Sequence, residues 1–233
     1  MQRTTGSGQR TTGSGLVCIG ITGGIACGKS LVGKILSGLD VDIRDADDVG
    51  HELMVSGEEL FNRIVARFGS AIVDSNGEIN RSALGQIVFS DPAKRDELNR
   101  LIHPEIFREL KAWINGGDAR SLVSTSKEPA DGFRPRICAV IVPLLYEVNW
   151  LDLWDWVICV AAPRSIQIER LKSRGLSRQE ALIRINAQSP VEEKIKRADY
   201  VIFNTGTREQ VKDQITKVFQ DIMEQVNGEH RRK

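Results

Sequence analysis

Apolar positions in this chain fall into short continuous runs separated by longer stretches with helical spacing. Leu16–Thr22 (Leu-Val-Cys-Ile-Gly-Ile-Thr), Val41–Ile43, Ile137–Val142, Trp156–Val160 and Tyr200–Phe203 are strand-sized and rich in β-branched residues, as strands buried on both faces tend to be. Helical patterns lie between them. Ser30–Gly38 suits a helix, and Glu58–Phe68 places Leu60, Ile64, Val65 and Phe68 on one face. Arg81–Phe89 follows, then Pro92–Ile102 behind Asp91 as an N-cap, an interruption at His103-Pro104, and Pro104–Asn115 ending at Gly116-Gly117. A helical excursion occupies Arg164 to Arg197, with a capping box at Ser177 and Glu180, and Thr207–Gln225 reads as a closing amphipathic helix. Strands alternating with helices predict an α/β fold: a mainly parallel central sheet flanked by helices on both faces. Ligands in such sheets bind beyond the carboxyl ends of the strands. That rule gathers Gly23–Ser30, Asp45, Asp47, Pro143–Glu147 and Asn204 around one expected cleft.

Composition narrows the class. The chain has 233 residues, 41% apolar and 27% charged, enough for one large core with a small excursion and too little for two full domains. A net charge of +1 supplies no global field toward nucleic acid or an anionic membrane. The longest apolar runs, Ile137–Val142 and Val157–Ala162, fall far short of the roughly 20 residues that span a bilayer. Cys18, Cys27, Cys138 and Cys159 show no metal-binding spacing, and three sit inside strand-like runs, so they read as reduced core residues of a cytoplasmic protein. Gln2–Gly8 repeats as Gln9–Gly15 without an apolar residue, giving a flexible tail over residues 1–15. Its basic, acid-free composition weakly resembles an organellar transit peptide, but no apolar face accompanies it. The expected partners are small molecules, and the chain is expected to be a monomer or weak homo-oligomer.

The chemistry starts at Gly23–Ser30, Gly-Gly-Ile-Ala-Cys-Gly-Lys-Ser. Two glycines spaced by four residues and followed by Lys and Ser, between a strand and a helix, form the loop whose backbone N–H groups and helix dipole cradle phosphates. Lys29 is then expected to reach the β- and γ-phosphates of ATP, and Ser30 to ligate Mg²⁺. Many nucleotide-driven motors and GTPases hold that ion with an acid ending a second buried strand, yet Ile137–Val142 runs into Pro143-Leu144-Leu145. The nearest acids in an equivalent place are Asp45 and Asp47, two apart and so on one side of an extended segment. Either, beside a γ-phosphate, can accept or orient the proton of an attacking hydroxyl and contact Mg²⁺ through water. The alternative is a helix N-cap plus a solvated acid.

Charge is uneven as well. Residues 164–197 hold nine Lys/Arg against four Glu. A basic helical pair over a triphosphate is what a lid needs, because cations neutralise the transferring oxygens and closure excludes water. Most of these side chains read as a solvated face; Arg170 and Arg174, four apart, are the candidate exceptions.

Taken in order, the motifs resemble the dephospho-coenzyme A kinase family. The resemblance is carried by Thr22–Ile25 leading into Gly28-Lys29-Ser30, Asp45-Ala46-Asp47, Gly77–Arg81 with Leu84 and Val88-Phe89, Ile102-His103-Pro104, and Val142–Leu145 with Glu147. It continues through Gln167-x-x-Arg170-x-x-x-Arg174, Arg184-x-x-x-Gln188, and Ala198-Asp199 before Val201-Ile202-x-Asn204-x-Gly206. It implies a phosphate-loop kinase fold: a single domain over 16–226, with core 16–47, 137–163 and 199–226, a helical acceptor-binding region 48–116, an insertion 117–136, a lid 164–197, and a tail 227–233. It implies transfer of the ATP γ-phosphoryl to the ribose 3′-hydroxyl of dephospho-CoA with Mg²⁺. On that basis Lys29, Asp47 and Arg170 are the catalytic residues. Gly23, Gly24, Ile25, Ala26, Cys27, Gly28, Ser30, Leu31, Arg174 and Asn204 bind the nucleotide, Asn204 near the adenine. Asp45, Arg81, His103 and Leu145 face the acceptor, and Ser30 with Asp47 serve the metal.

Three departures stand out. Ala26-Cys27 replaces the usual small Gly/Ser residues, and Cys27 raises the expectation of oxidation sensitivity. Leu31 stands where Thr often follows the loop. Ser121–Arg136 has no recognised counterpart. Two other readings use the same residues: a kinase for another small hydroxyl acceptor, such as a nucleotide or shikimate-like compound, and a non-catalytic nucleotide-binding protein. The His-Pro and Pro-Leu-Leu segments disfavour the first, and the joint presence of Lys29, Ser30, Asp47 and Arg170 disfavours the second.

Overall fold

The apolar runs become strands in the computed structural model, which describes residues 15–116 and 135–230. The repeat within 1–15 apart from Gly15, the insertion as far as residue 134, and residues 231–233 lie outside the described residues. The strands are β1 (Leu16–Gly23), β2 (Asp42–Asp45), β3 (Arg136–Ile141), β4 (Trp156–Ala161) and β5 (Tyr200–Phe203), in sheet order β2-β3-β1-β4-β5. β1 pairs in parallel with β3 (Ile19 opposite Ala139) and β4 (Ile21 opposite Ile158), and β4 with β5 (Val160 opposite Ile202). The whole of β4, and β1 from Val17 onward, are buried, which is why their sequences run apolar without alternation. Side chains lengthen the ladder at the strand starts. Asp155 Oδ2 accepts from the Cys18 N–H, and Asp199 Oδ2 from the Val157 N–H, both at 2.8 Å.

Helices α1 (Lys29–Ser37) and α9 (Arg208–His230) belong to the same core, where Val17, Ile19 and Ile21 meet Val32, Leu36, Ile158, Ile202, Val211 and Ile215. α9 runs past Gln225, where the sequence pattern ends it, and takes in residues read as the start of the tail. Because β1 lies between β3 and β4, the loop leaving its carboxyl end sits at the switch in strand order, the place such sheets reserve for ligands.

The excursion between β4 and β5 is three helices, not a pair: α6 (Arg164–Ser173), α7 (Arg178–Asn186) and α8 (Val191–Arg197). Ser177 and Glu180 form both bonds of the expected capping box at α7. Pro190 is the N-cap of α8 and separates it from α7, which adds a third helix to the expected pair.

Residues 45–116 form a second compact unit, containing α2 (Ala46–Leu53), α3 (Glu59–Phe68), a 3₁₀ turn at Ser70–Ile72, α4 (Arg81–Ser90) and α5 (Pro92–Gly116). Leu60, Ile64, Ile72 and Leu84 form its core. The expected break at His103-Pro104 is absent, and α5 continues through Pro104. Proline removes only the bond to the Arg100 carbonyl, while α2, α3 and α4 all pack on this helix. Gly50 of α2 allows one such approach: a Cβ there would stand 3.0 Å from Ile106. Asp45-Ala46-Asp47 is also not extended. Asp45 ends β2 and caps α2, its Oδ1 accepting from the Asp47 N–H at 3.0 Å.

Candidate active site

The phosphate loop is shaped by three positive φ angles. Gly23 (φ 142°) ends β1 where a Cβ would run into the Val160 carbonyl of β4; Ala26 sits at 57°; Gly28 (100°) is the N-cap of α1. Residues 31 and 32 donate their N–H groups to the Gly28 carbonyl, starting the helix. No acidic residue occupies its first turn, so the positive end of the dipole keeps its attraction for an anion. Lys29 folds back, its Nζ donating to the carbonyls of Gly23 (3.1 Å) and Gly24 (3.0 Å), which holds the charge at the loop. Ser30 is exposed beside it.

Behind the loop stand Arg170 and Asn204. Arg170 Nη1 donates to the carbonyls of Ala26 and Cys27 (3.0 and 3.3 Å), and Nη2 to the main-chain and side-chain oxygens of Asn204 (3.0 and 3.1 Å). Asn204 Nδ2 donates to the Cys27 carbonyl at 2.8 Å. The two carbonyls that the tight loop turns inward, those of Ala26 and Cys27, are thereby satisfied. Ala26 also packs with Leu171 and Ala181, so α6 and α7 dock on the loop through an apolar contact. Ala26 is thus accounted for as a packing residue.

Other placements differ from expectation. Arg174 is not on one helical face with Arg170: α6 ends at Ser173, and Arg174 is its exposed C-cap. Leu145 is fully buried against Gly20 of β1 beside Trp154, so its side chain belongs to the core, and a substrate contact would need the core to open. Cys27 is fully buried, and burial raises its thiol pKa. It therefore lacks the exposure and thiolate character that oxidation requires. All four cysteines are free and buried, as the sequence suggested.

Within the 45–116 unit, Asp47 is exposed in the first turn of α2. Arg81, at the start of α4, lines a cavity of about 740 Å³ with His51, Glu78, Ile79, Leu84 and Ile102. His103 is half-buried, and desolvation lowers its pKa, favouring the neutral ring.

Four residues carry more than the sequence reading gave them. His51 lines the cavity. Gln167 is buried and bonds the Ala162 carbonyl at 2.9 Å. Gln188 Oε1 accepts from the Ile25 N–H at 2.9 Å. Lys194, counted above among solvated lid cations, is fully buried, with Nζ 2.8 Å from both Glu147 Oε1 and the Pro143 carbonyl. The detectable signals were the Arg184-x-x-x-Gln188 spacing and Glu147 after Pro-Leu-Leu.

A glycine loop gripped by its own lysine, at the order switch of a parallel sheet and braced by a basic helical segment, is built to hold nucleotide phosphates, and it places the chain among the phosphate-loop kinases. Residues 17–210 match the family model for dephospho-CoA kinase, CoaE. The dephospho-CoA kinase of Carboxydothermus hydrogenoformans is 38% identical over 88% of this chain and 94% of its own length, and that of Oryza sativa subsp. japonica 38% identical over 91% and 87%. Among solved structures, TT1252 from Thermus thermophilus is 31% identical with a TM-score of 0.72, covering 88% of this chain and 97% of its own. The Campylobacter jejuni dephospho-CoA kinase is 26% identical with a TM-score of 0.62, covering 88% and 96%. The chain belongs to the dephospho-CoA kinase family. Among the described residues no helix is long and apolar enough to cross a membrane.

Proposed function

We propose that this chain transfers the γ-phosphoryl group of ATP to the ribose 3′-hydroxyl of dephospho-CoA, giving CoA and ADP in the final step of CoA biosynthesis. The observation that carries the reading is the Lys29-closed loop in a chain of this family. Loop N–H groups and the α1 dipole hold the phosphates, and the Lys29 ammonium moves from loop carbonyls to phosphate oxygens, where charge develops during transfer.

Ser30 fits Mg²⁺: its hydroxyl is exposed at the start of α1, and the ion commonly takes few protein ligands beside substrate phosphates and water. When bound, Mg²⁺ would neutralise charge on the transferring group, and Ser30 and Asp47 are the residues assigned to hold it. Asp47 accepts or orients the proton of the attacking hydroxyl. Asp45 orders the start of α2 that carries it. Arg170 braces the loop, and contact with the transferring phosphate would require it to exchange a loop carbonyl for a phosphate oxygen. Arg174 and Asn204 are assigned to the nucleotide, and Arg81 and His103 to the acceptor within region 48–116. Residues 164–197 serve as the lid. Four free cysteines suit a reducing compartment such as the cytoplasm.

The test is ADP release from Mg·ATP with and without dephospho-CoA, with mass detection of the product. Acceptor-dependent ADP and a product heavier by one phosphoryl group are expected. ATP binding without such turnover would overturn the assignment of the acceptor.

A further inference from the structure

The residues that hold the 188–189 turn are not among those assigned to the reaction. Lys194 of α8 is fully buried, and its only charged partner among the described contacts is Glu147, from the segment leaving β3. Glu147 Oε1 also accepts from the Ser189 N–H at 3.1 Å. The side chain of the next residue back, Gln188, accepts through Oε1 from the Ile25 N–H of the phosphate loop. Lys194 Nζ further donates to the Pro143 carbonyl, which accepts from Thr22 Oγ1 at 3.3 Å just before the loop begins. Thr22 is itself fully buried. A buried ammonium is costly unless paired and hydrogen-bonded; here both its partners lie on one segment that also fixes the turn.

We infer that Lys194 and Glu147 are positioning residues for the nucleotide: their ion pair fixes the 188–189 turn so that Gln188 holds the Ile25 amide, and with it the phosphate loop, in binding geometry. This rests on the phosphate-loop kinase reading but not on which hydroxyl compound is the acceptor. The loop needs such a hold because Ala26, next to Ile25, sits at φ 57° without being glycine. A buried pair retained only for stability would show no preference for the loop; one acting through Gln188 shares its effect with Gln188.

The experiment is a double-mutant cycle read in ATP affinity without acceptor, with thermal midpoints as a control on folding. Gln188→Ala is expected to weaken ATP binding about tenfold, the scale of one lost hydrogen bond. Lys194→Met is expected to weaken it to a similar extent, and the double variant to bind no worse than the weaker single variant, because both changes release the same amide. Should Lys194→Met fail to fold, the joint replacement Lys194→Met with Glu147→Leu, which leaves no charge unpaired, takes its place in the cycle. Losses that multiply when Gln188→Ala is added, or a Lys194→Met or jointly replaced protein that binds ATP normally while its midpoint falls, would overturn the proposal. Failure to phosphorylate dephospho-CoA leaves this cycle readable and counts only against the acceptor.

Discussion

Asn204 Nδ2 donates to the Cys27 carbonyl at 2.8 Å, tying the end of β5 to the middle of the phosphate loop. The same amide nitrogen fills the space that a Cβ on Gly28 would need, and Gly28 stands at φ 100°. Gly28→Ala therefore combines a left-handed backbone penalty with a collision. It is expected to abolish detectable ATP binding in a titration while the far-ultraviolet circular dichroism stays native. Asn204→Ala removes the bond to Cys27 and one acceptor for Arg170, and is expected to cost about 1–3 kcal/mol in urea unfolding. A Gly28→Ala protein with normal ATP affinity would contradict this account of the loop.

Lys29→Ala removes a side-chain cation that donates to the loop's own Gly23 and Gly24 carbonyls. Turnover is expected to fall by about 10² to 10³ in a steady-state ADP assay, the scale of losing a charged donor at the developing charge. A loss below tenfold would show that another group serves the transferring oxygens.

Asp45 and Asp47 are expected to separate cleanly. Asp45 caps α2 through the Asp47 N–H, so Asp45→Ala should lower stability by about 1 kcal/mol. Asp47→Asn should leave stability and ATP affinity near wild type and reduce kcat by about 10² to 10⁴. Equilibrium unfolding and kinetics on the two variants check this, and weakened ATP binding with intact turnover in Asp47→Asn would remove its role as the acid.

Thiol chemistry gives a third readout of the loop. Cys27, Cys138 and Cys159 are fully buried and Cys18 nearly so. Burial lifts Cys27 and pushes Cys159 up to about 12. At neutral pH a thiol reagent should modify none of the four quickly in the native protein and all four in urea. Fast modification of Cys27 that is blocked by ATP would show that the loop opens.

Burial alone would raise the Glu147 carboxyl, but the hydrogen bond and charge of Lys194 outweigh it and hold the group below its ordinary value of 4.5. The folded chain thus takes up this proton less readily than the unfolded one. The stabilisation is complete above the unfolded value and fades as pH falls through the folded one. Lys194→Met removes the cause, so urea midpoints measured from about pH 6 down to about pH 3 should fall less steeply than in the wild type. An unchanged acid slope would show that Glu147 is not coupled to Lys194.

Much of the fold was legible because strand burial writes itself as continuous apolar runs, and the loop because its glycines, Lys29 and Ser30 have a fixed spacing. What escaped was set by packing. Pro104 breaks a helix by local rules, yet α5 has neighbours along its length that outweigh one missing bond. Lys194 is indistinguishable from Lys196 in a charge count, since composition does not report where a side chain ends. Leu145 was read with its motif and proved to be core. Asp45 shows the reverse: the capping alternative was visible in the sequence, followed at once by acids suited to a helix start, and the extended reading discounted it.

The 45–116 unit is one uninterrupted stretch of chain, entered at the end of β2. None of the β1, β3, β4 and β5 pairings runs through it, so an insertion or deletion between its helices shifts no residue along those strands. The phosphate loop has no such freedom. Arg170, Gln188 and Asn204 bond it from three separated places in the sequence, so its geometry is inherited only as a set.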